Sequence, residues 1–306
     1  MNAKKIFITA ALALTIMFNS FAANKVTIKN YPDFKFGFTT INFAKALPVS
    51  KDNIMKLVDF AKNEGFAFIE LRDPTATLTY DECKAIASYA KQNDIEVVYA
   101  LNIGFLDPKF DEIFTKGLDN ASCFTNGPKT MRIIGAGPEY SSDPQKNAYT
   151  AEEIQKILPI AEDAAKKAKA KGVNLVIENT YEVFGGNGKD TFGFKDLYDK
   201  ISSNFSWQPD TANFFAVSRV VTNPSDAEDY LNKNAKKIIY IHLKTSNKDH
   251  KVPAVLEENE LPFKTVFDIL SKNNVKYIAI ELPQQATFEE CAQNHKKSAE
   301  FLIANY

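Results

Sequence analysis

The sequence predicts a single (β/α)8 barrel, and two observations predict it. The first is a beat of short runs rich in β-branched and aromatic residues, which end at Gly37, Glu70, Asn102, Gly135, Glu178, Asp210, His242 and Glu281. Successive steps are 33, 32, 33, 43, 32, 32 and 39 residues, room for one strand, one helix and two short loops. Eight such units make a closed parallel barrel. The second observation is that Glu178, Asp210, His242 and Glu281 all sit where an apolar run stops, and strand ends are where parallel α/β proteins keep their chemistry. An open doubly wound sheet would alternate in the same way, but eight regular units favour closure.

The strands are, in order, FKFG, FAFIEL, IEVVYALN and MRIIG, then VNLVI before Glu178, FSWQP before Asp210, KKIIYI before His242 and VKYIAI before Glu281. The helices between them announce their ends. Thr79 with Glu82, and Thr150 with Glu153, have capping-box spacing, and Ile154, Ile157, Leu158 and Ala161 then fall on one helical face. Gly65 and Gly172 stand where a left-handed residue would turn a helix into the next strand.

Residues 1–22 read as a cleavable signal peptide. Lys4 and Lys5 form its charged start, IFITAALALTIMF its apolar centre, and Ser20-Phe21-Ala22 a small-x-small cleavage signal. The apolar stretch is short of the roughly 20 residues a membrane span requires, so no stable insertion is expected after cleavage. No Cys follows for a lipid anchor. The mature chain is expected to run from Ala23 to Tyr306 as one domain in a periplasm or outside the cell.

Mature composition is ordinary. Without Lys4 and Lys5 the balance is 35 basic against 38 acidic residues, with no basic stripe to attract nucleic acid. Cys83, Cys123 and Cys291 lack the spacing of a zinc knuckle. One disulfide is open to them, although Cys83 and Cys291 fall in predicted helices, where buried thiols are the expectation.

Two Glu, one Asp and one His form an oxygen and nitrogen donor set without thiolate, suited to one divalent ion of Mn, Mg, Co or Zn. They end consecutive strands, and consecutive barrel strands are neighbours, so the four side chains should converge. Three carboxylates in one mouth would repel strongly if left bare, which argues for a cation among them.

At VIENT (Glu178), PDTAN (Asp210, Asn213), YIHLK (His242, Lys244) and IAIELP (Glu281) the chain resembles the xylose-isomerase-like TIM barrels, a superfamily of sugar and sugar-phosphate isomerases and epimerases. The resemblance runs through almost the whole mature chain and includes LEENELPFKTVFDIL. It implies that Glu178, Asp210, His242 and Glu281 hold one divalent metal, and that Glu178 and Glu281 are the catalytic proton-transfer pair. It also makes Asn213 and Lys244 substrate contacts. Thr180, Thr245 and Asn213 depart from residues frequent in relatives, so no single substrate is matched. Having only His242, His250 and His295, the chain lacks the histidines of the family's trinuclear zinc endonucleases.

Other signals are weaker. FGGNGKD fails the phosphate-loop pattern and reads as a flexible loop at the active face, and Gly135-Ala136-Gly137 marks a tight turn. Glu70 and Arg72 end strand two, where they would meet substrate or pair with each other; Trp207 is either core or a sugar-stacking wall. The expected partner is a small carbohydrate, and a homo-oligomer is compatible with the sequence. Three functions follow: a metal-dependent sugar isomerase or epimerase, a lyase or dehydratase acting on a keto-sugar or inosose with the same metal site, and a non-catalytic carbohydrate-binding barrel.

Overall fold

A computed structural model describes residues 25–135, 148–179, 192–217, 224–247 and 251–306. The expected signal peptide and cleavage point, Ala136, Gly137, Thr180, the glycine-rich stretch 184–190 and His250 lie outside the described residues.

Among the described residues eight strands alternate with eight α-helices: β1 (Lys35–Thr39), α1 (Lys51–Asn63), β2 (Phe68–Arg72), α2 (Tyr80–Gln92), β3 (Glu96–Ala100), α3 (Phe110–Ala121), β4 (Thr130–Gly135), α4 (Ala151–Lys171), β5 (Asn174–Asn179), α5 (Phe194–Ile201), β6 (Ser206–Gln208), α6 (Pro224–Asn234), β7 (Tyr240–Leu243), α7 (Phe263–Lys272), β8 (Tyr277–Ile280) and α8 (Phe288–Asn305). All strand pairs are parallel, in the order β6-β5-β4-β3-β2-β1-β8-β7. Two isolated parallel bridges, Trp207 with Ile238 and Asp210 with His242, join β6 to β7. The fold is the (β/α)8 TIM barrel that the repeat predicts.

Most strand limits differ from the sequence expectation by a residue or two, but β7 begins at Tyr240 and not at Lys236, because Lys236 and Lys237 end a short 3-10 turn, Ala235–Lys237; the cause of an early stop is visible at β6. Pro209 has no N–H to donate, so regular pairing ends at Gln208. The Pro209 carbonyl still accepts from the His242 N–H at 2.9 Å, which keeps Asp210 level with His242. Glu281 likewise stands one residue beyond β8.

Local signals match the helices. Both predicted capping boxes form, and a third closes α8 through Thr287 and Glu290, each worth about 1 kcal/mol. Gly172 ends α4 in the left-handed region at φ +61°. Inside the barrel Phe68, Val98, Val176, Tyr240 and Ala279 pack together. Trp207 faces the helices instead, buried among Phe194, Tyr198, Phe214 and Tyr230, and is a core residue. Cys83, Cys123 and Cys291 are all free, with Cys83 and Cys291 buried in α2 and α8. Among the described residues no helix is long and apolar enough to cross a membrane.

Candidate metal centre

Side chains alternate along a strand, so the inward rows of β5 and β7, Val176 then Glu178 and Tyr240 then His242, climb from the apolar interior into a polar mouth. There one donor atom each of Glu178, Asp210, His242 and Glu281 lies within 4.8 Å of the others, so the four predicted ligands do converge. Each is also held from behind. Glu178 Oε2 meets Arg132 Nη1 at 3.2 Å. Asp210 Oδ1 accepts from the Asn213 N–H at 2.9 Å, Glu281 Oε1 accepts from Lys244 Nζ at 2.9 Å, and His242 Nε2 meets Glu70 Oε2 at 2.6 Å.

The opposite atoms face one another. His242 Nδ1 lies 2.9 Å from Glu281 Oε2, 3.3 Å from Glu178 Oε1 and 3.9 Å from Asp210 Oδ2, yet this buried nitrogen makes an aligned hydrogen bond to none of them. The facing carboxylates favour a protonated ring when no cation is present; once a cation displaced the proton at Nδ1, Glu70 would accept at Nε2 and the neutral ring would turn its Nδ1 lone pair to the centre, the arrangement in which an outer carboxylate orients a ligating histidine. Donor set, spacing and the orphaned Nδ1 fit a divalent cation.

Backbone ties set these positions. Thr211 Oγ1 accepts from Lys244 N at 3.0 Å and donates to the Lys244 carbonyl, tying β6 to β7. Asn179 Oδ1 accepts from Asp210 N and Trp207 Nε1, both at 3.1 Å. Asn42 donates to the Ile280 carbonyl and accepts from Leu282 N, bracketing Glu281. Asn213 opens a wide helical turn over Asn213–Val217, a distortion common at functional sites.

Comparison with known proteins agrees with this fold. Residues 58–304 match the family model of the xylose isomerase-like TIM barrel. The chain belongs to that family. No curated protein matches its sequence. Among solved structures, D-allulose 3-epimerase from Methylomonas sp. is similar at 13% identity and TM-score 0.65, over 89% of this chain and 98% of that one. D-psicose 3-epimerase with D-tagatose from Clostridium cellulolyticum H10 gives 14% and 0.63, over 88% and 98%. A xylose isomerase-like TIM barrel protein from Mycobacterium smegmatis in complex with magnesium gives 13% and 0.65, over 89% and 97%.

In this xylose isomerase-like barrel the protein itself supplies cations beside the carboxylates, which the sequence argument for a divalent ion did not consider. Arg72 and Lys244 contact Glu281, Lys244 reaches Asp210 at 3.4 Å, and Arg132 meets Glu178. Burial raises the Glu281 carboxyl's pKa, but Lys244, His242 and Arg72 outweigh it and hold it well below the usual range. Glu178 is lowered in the same way, with Arg132 and His242 overcoming burial. Asp210 goes the other way: burial, with Glu281 and Glu178 facing it, pushes it up to about 6. Burial lowers His242, yet Glu70, Glu178 and Glu281 raise it well above its ordinary value.

The three expected substrate contacts, Glu70, Asn213 and Lys244, differ in what they leave exposed to the mouth. Glu70 is fully buried, and both its oxygens are engaged, Oε1 by Thr39 and Arg72, Oε2 by Tyr240 and His242. It braces His242 and offers substrate no surface; its pairing with Arg72 is the alternative left open by the sequence. Asn213 is buried and holds Asp210 through its backbone. Lys244 remains partly exposed above Asp210 and Glu281, its side chain 15% accessible. Arg132 was not singled out in the sequence. A charged residue at an inward position of MRIIG, a strand buried on both faces, is the signal that marks it.

Proposed function

We propose that this chain is an exported, divalent-metal-dependent sugar isomerase or epimerase. The observation that carries the proposal is the set of four donor atoms, each braced from behind and facing a common centre, with His242 Nδ1 left without an aligned partner. A divalent cation held by Glu178, Asp210, His242 and Glu281 would polarise a sugar carbonyl and its neighbouring hydroxyl, acidifying the C–H between them. Glu178 and Glu281 flank the centre from the first and last of four consecutive strand ends. One removes that proton and the other returns a proton to the opposite face, which inverts the carbon without change of composition. Lys244, the more accessible of the cations around the four ligands, orients the substrate's oxygens. Arg72 and Arg132 hold the two carboxylates ionised and ready to accept.

The solved relatives named as 3-epimerases of ketoses support free ketoses as the first substrates to test. With Mn²⁺ present, proton NMR of a panel of ketoses in D₂O should show loss of one C–H signal beside the carbonyl and growth of the epimer or isomer. A metal-loaded protein that exchanges no proton in any free sugar would refute the reading. The charged start, apolar centre and small-x-small site in residues 1–22 support export. Intact mass of material exported by a bacterial host should place the N-terminus at Ala23, whereas a mass retaining Met1 would refute cleavage.

A further inference from the structure

Arg132 lies at the centre of the barrel with no exposed surface. Its Nη1 donates to the Leu101 carbonyl at 2.7 Å and meets Glu178 Oε2 at 3.2 Å, while Nη2 lies 3.6 Å from Glu70 Oε1. Nε and Nη2 have no hydrogen-bond partner. Burying a guanidinium is costly, and leaving two of its nitrogens unsatisfied adds to the cost. An apolar side chain of similar length would fill the space without that penalty, so packing does not account for an arginine here. What the arginine adds is a permanent charge against two carboxylates, one of them a proposed ligand and the other the brace of His242.

We infer that Arg132 is a positioning residue that couples two of the four metal ligands. It engages Glu178 Oε2 from below, so that Glu178 offers the centre only Oε1, and it steadies Glu70, which in turn fixes the His242 ring with Nδ1 inward. The inference rests on the metal reading above and adds a residue that touches neither the metal nor the substrate. It differs from a purely structural role because its consequence is coordination at the centre, not only stability.

The test is Co²⁺ titration of Arg132→Met and Arg132→Lys, followed by calorimetry and by the visible absorption of the bound ion, on protein shown to be folded by circular dichroism and gel filtration. Arg132→Met should bind Co²⁺ about 10–100-fold more weakly, the usual effect of losing an outer partner, and should alter the absorption bands. Arg132→Lys keeps the charge but cannot span both the Leu101 carbonyl and Glu178, so it should fall between Arg132→Met and the parent. Parent-like affinity and spectrum in Arg132→Met, or in Arg132→Lys where Arg132→Met does not fold, overturns the inference alone. A folded parent that binds no Co²⁺ overturns the metal reading and this inference with it.

Discussion

At the N-terminal end of the barrel, Glu96 at the start of β3 accepts from Lys35 of β1 and, at 2.6 Å, from Tyr277 of β8, and Lys35 Nζ lies 5.0 Å from the Tyr277 ring centroid. One cation faces one anion, and both carboxylate oxygens are engaged. The mouth at the other end holds four carboxylates, Glu70, Glu178, Asp210 and Glu281, with Arg72, Arg132, Lys244 and the buried His242 among them. Buried atoms of His242 and Arg132 stay unsatisfied there. The same residue types thus close one end of the barrel and leave unmet valence at the other. Polar groups that satisfy one another only stabilise, whereas groups held apart facing a common point are prepared for something that is not protein.

The largest expected effect tests that difference on the reaction. Glu281→Gln and Glu178→Gln each keep an oxygen ligand and remove the base, so turnover should fall by a factor of about 10²–10⁴, while Mn²⁺ affinity measured by calorimetry falls modestly. Parent-like turnover in both variants would refute the proton-transfer assignment and leave the mouth a binding site.

The fold was legible because its signals are local: the strand beat, the boxes at Thr79 and Thr150, and the glycine after α4. The convergence of Glu178, Asp210, His242 and Glu281 was legible because consecutive strand ends are neighbours in any barrel. What the sequence hid were relations across the barrel. Glu70 looked like a substrate contact, since nothing in FAFIEL says that its carboxylate meets the ring of His242, 172 residues away. Arg132 was hidden for the same reason, and so was the place of Arg72 and Lys244 between the carboxylates: the three come from β2, β4 and the end of β7, and only closure of the barrel gathers them. Thr180 and the loop expectation for 184–190 lie outside the described residues.

The next effect is in stability and guards the comparison against a false reading of pH data. Burial pushes His295 on α8 down to about 4, although the Cys291 carbonyl pulls it up; its ring stacks on Phe43 and meets Asn42 Nδ2 at 2.9 Å. Its folded value lies below the ordinary 6.5, so between the two the unfolded chain takes up a proton that the native ring refuses. Stability is therefore present above about pH 6.5 and lost as pH falls toward 4, by about 3 kcal/mol. Urea unfolding of the parent and of His295→Gln at pH 7 and 4.5 measures this. The variant should lose less than the parent, and an equal loss in both would assign the acid sensitivity to other groups, the mouth included.

Smaller effects are expected on metal affinity. Glu70→Gln loses the charge that orients His242 and should weaken Mn²⁺ binding by about 10–100-fold, and His242→Ala, which removes the only nitrogen donor, by at least as much. Protons on His242 and Asp210 compete with the cation, so affinity should rise with pH through about 6, where burial has placed Asp210. Calorimetry in buffers of different ionisation enthalpy reads the released protons directly. Binding without proton release near pH 6 would mean that the cation does not enter among these groups.

The smallest effect belongs to the closed end, and it decides whether the two ends are independent. Glu96→Gln leaves a neutral acceptor for Lys35 and Tyr277 at a site where the Lys35 side chain is 39% exposed, so solvent already screens the pair. The cost should be about 0–1 kcal/mol, a fall in Tm of about 2–4 °C at most, with metal affinity and turnover unchanged. A physical route between the ends does exist: the Tyr277 ring meets Phe68 edge-on at 5.4 Å, Phe68 packs in one cluster with Tyr240, and Tyr240 donates to Glu70 at 2.7 Å. If closely packed rings carried strain along it, Glu96→Gln would weaken Mn²⁺ binding as Glu70→Gln does. Separated sites without shared partners combine additively within about 0.3–0.5 kcal/mol, and neither side-chain partner of Glu96, Lys35 nor Tyr277, contacts Glu178, Asp210, His242 or Glu281. A double variant with Glu70→Gln should therefore show the sum of the two single effects, and a departure beyond that margin would show that the interior of the barrel transmits what its two ends do.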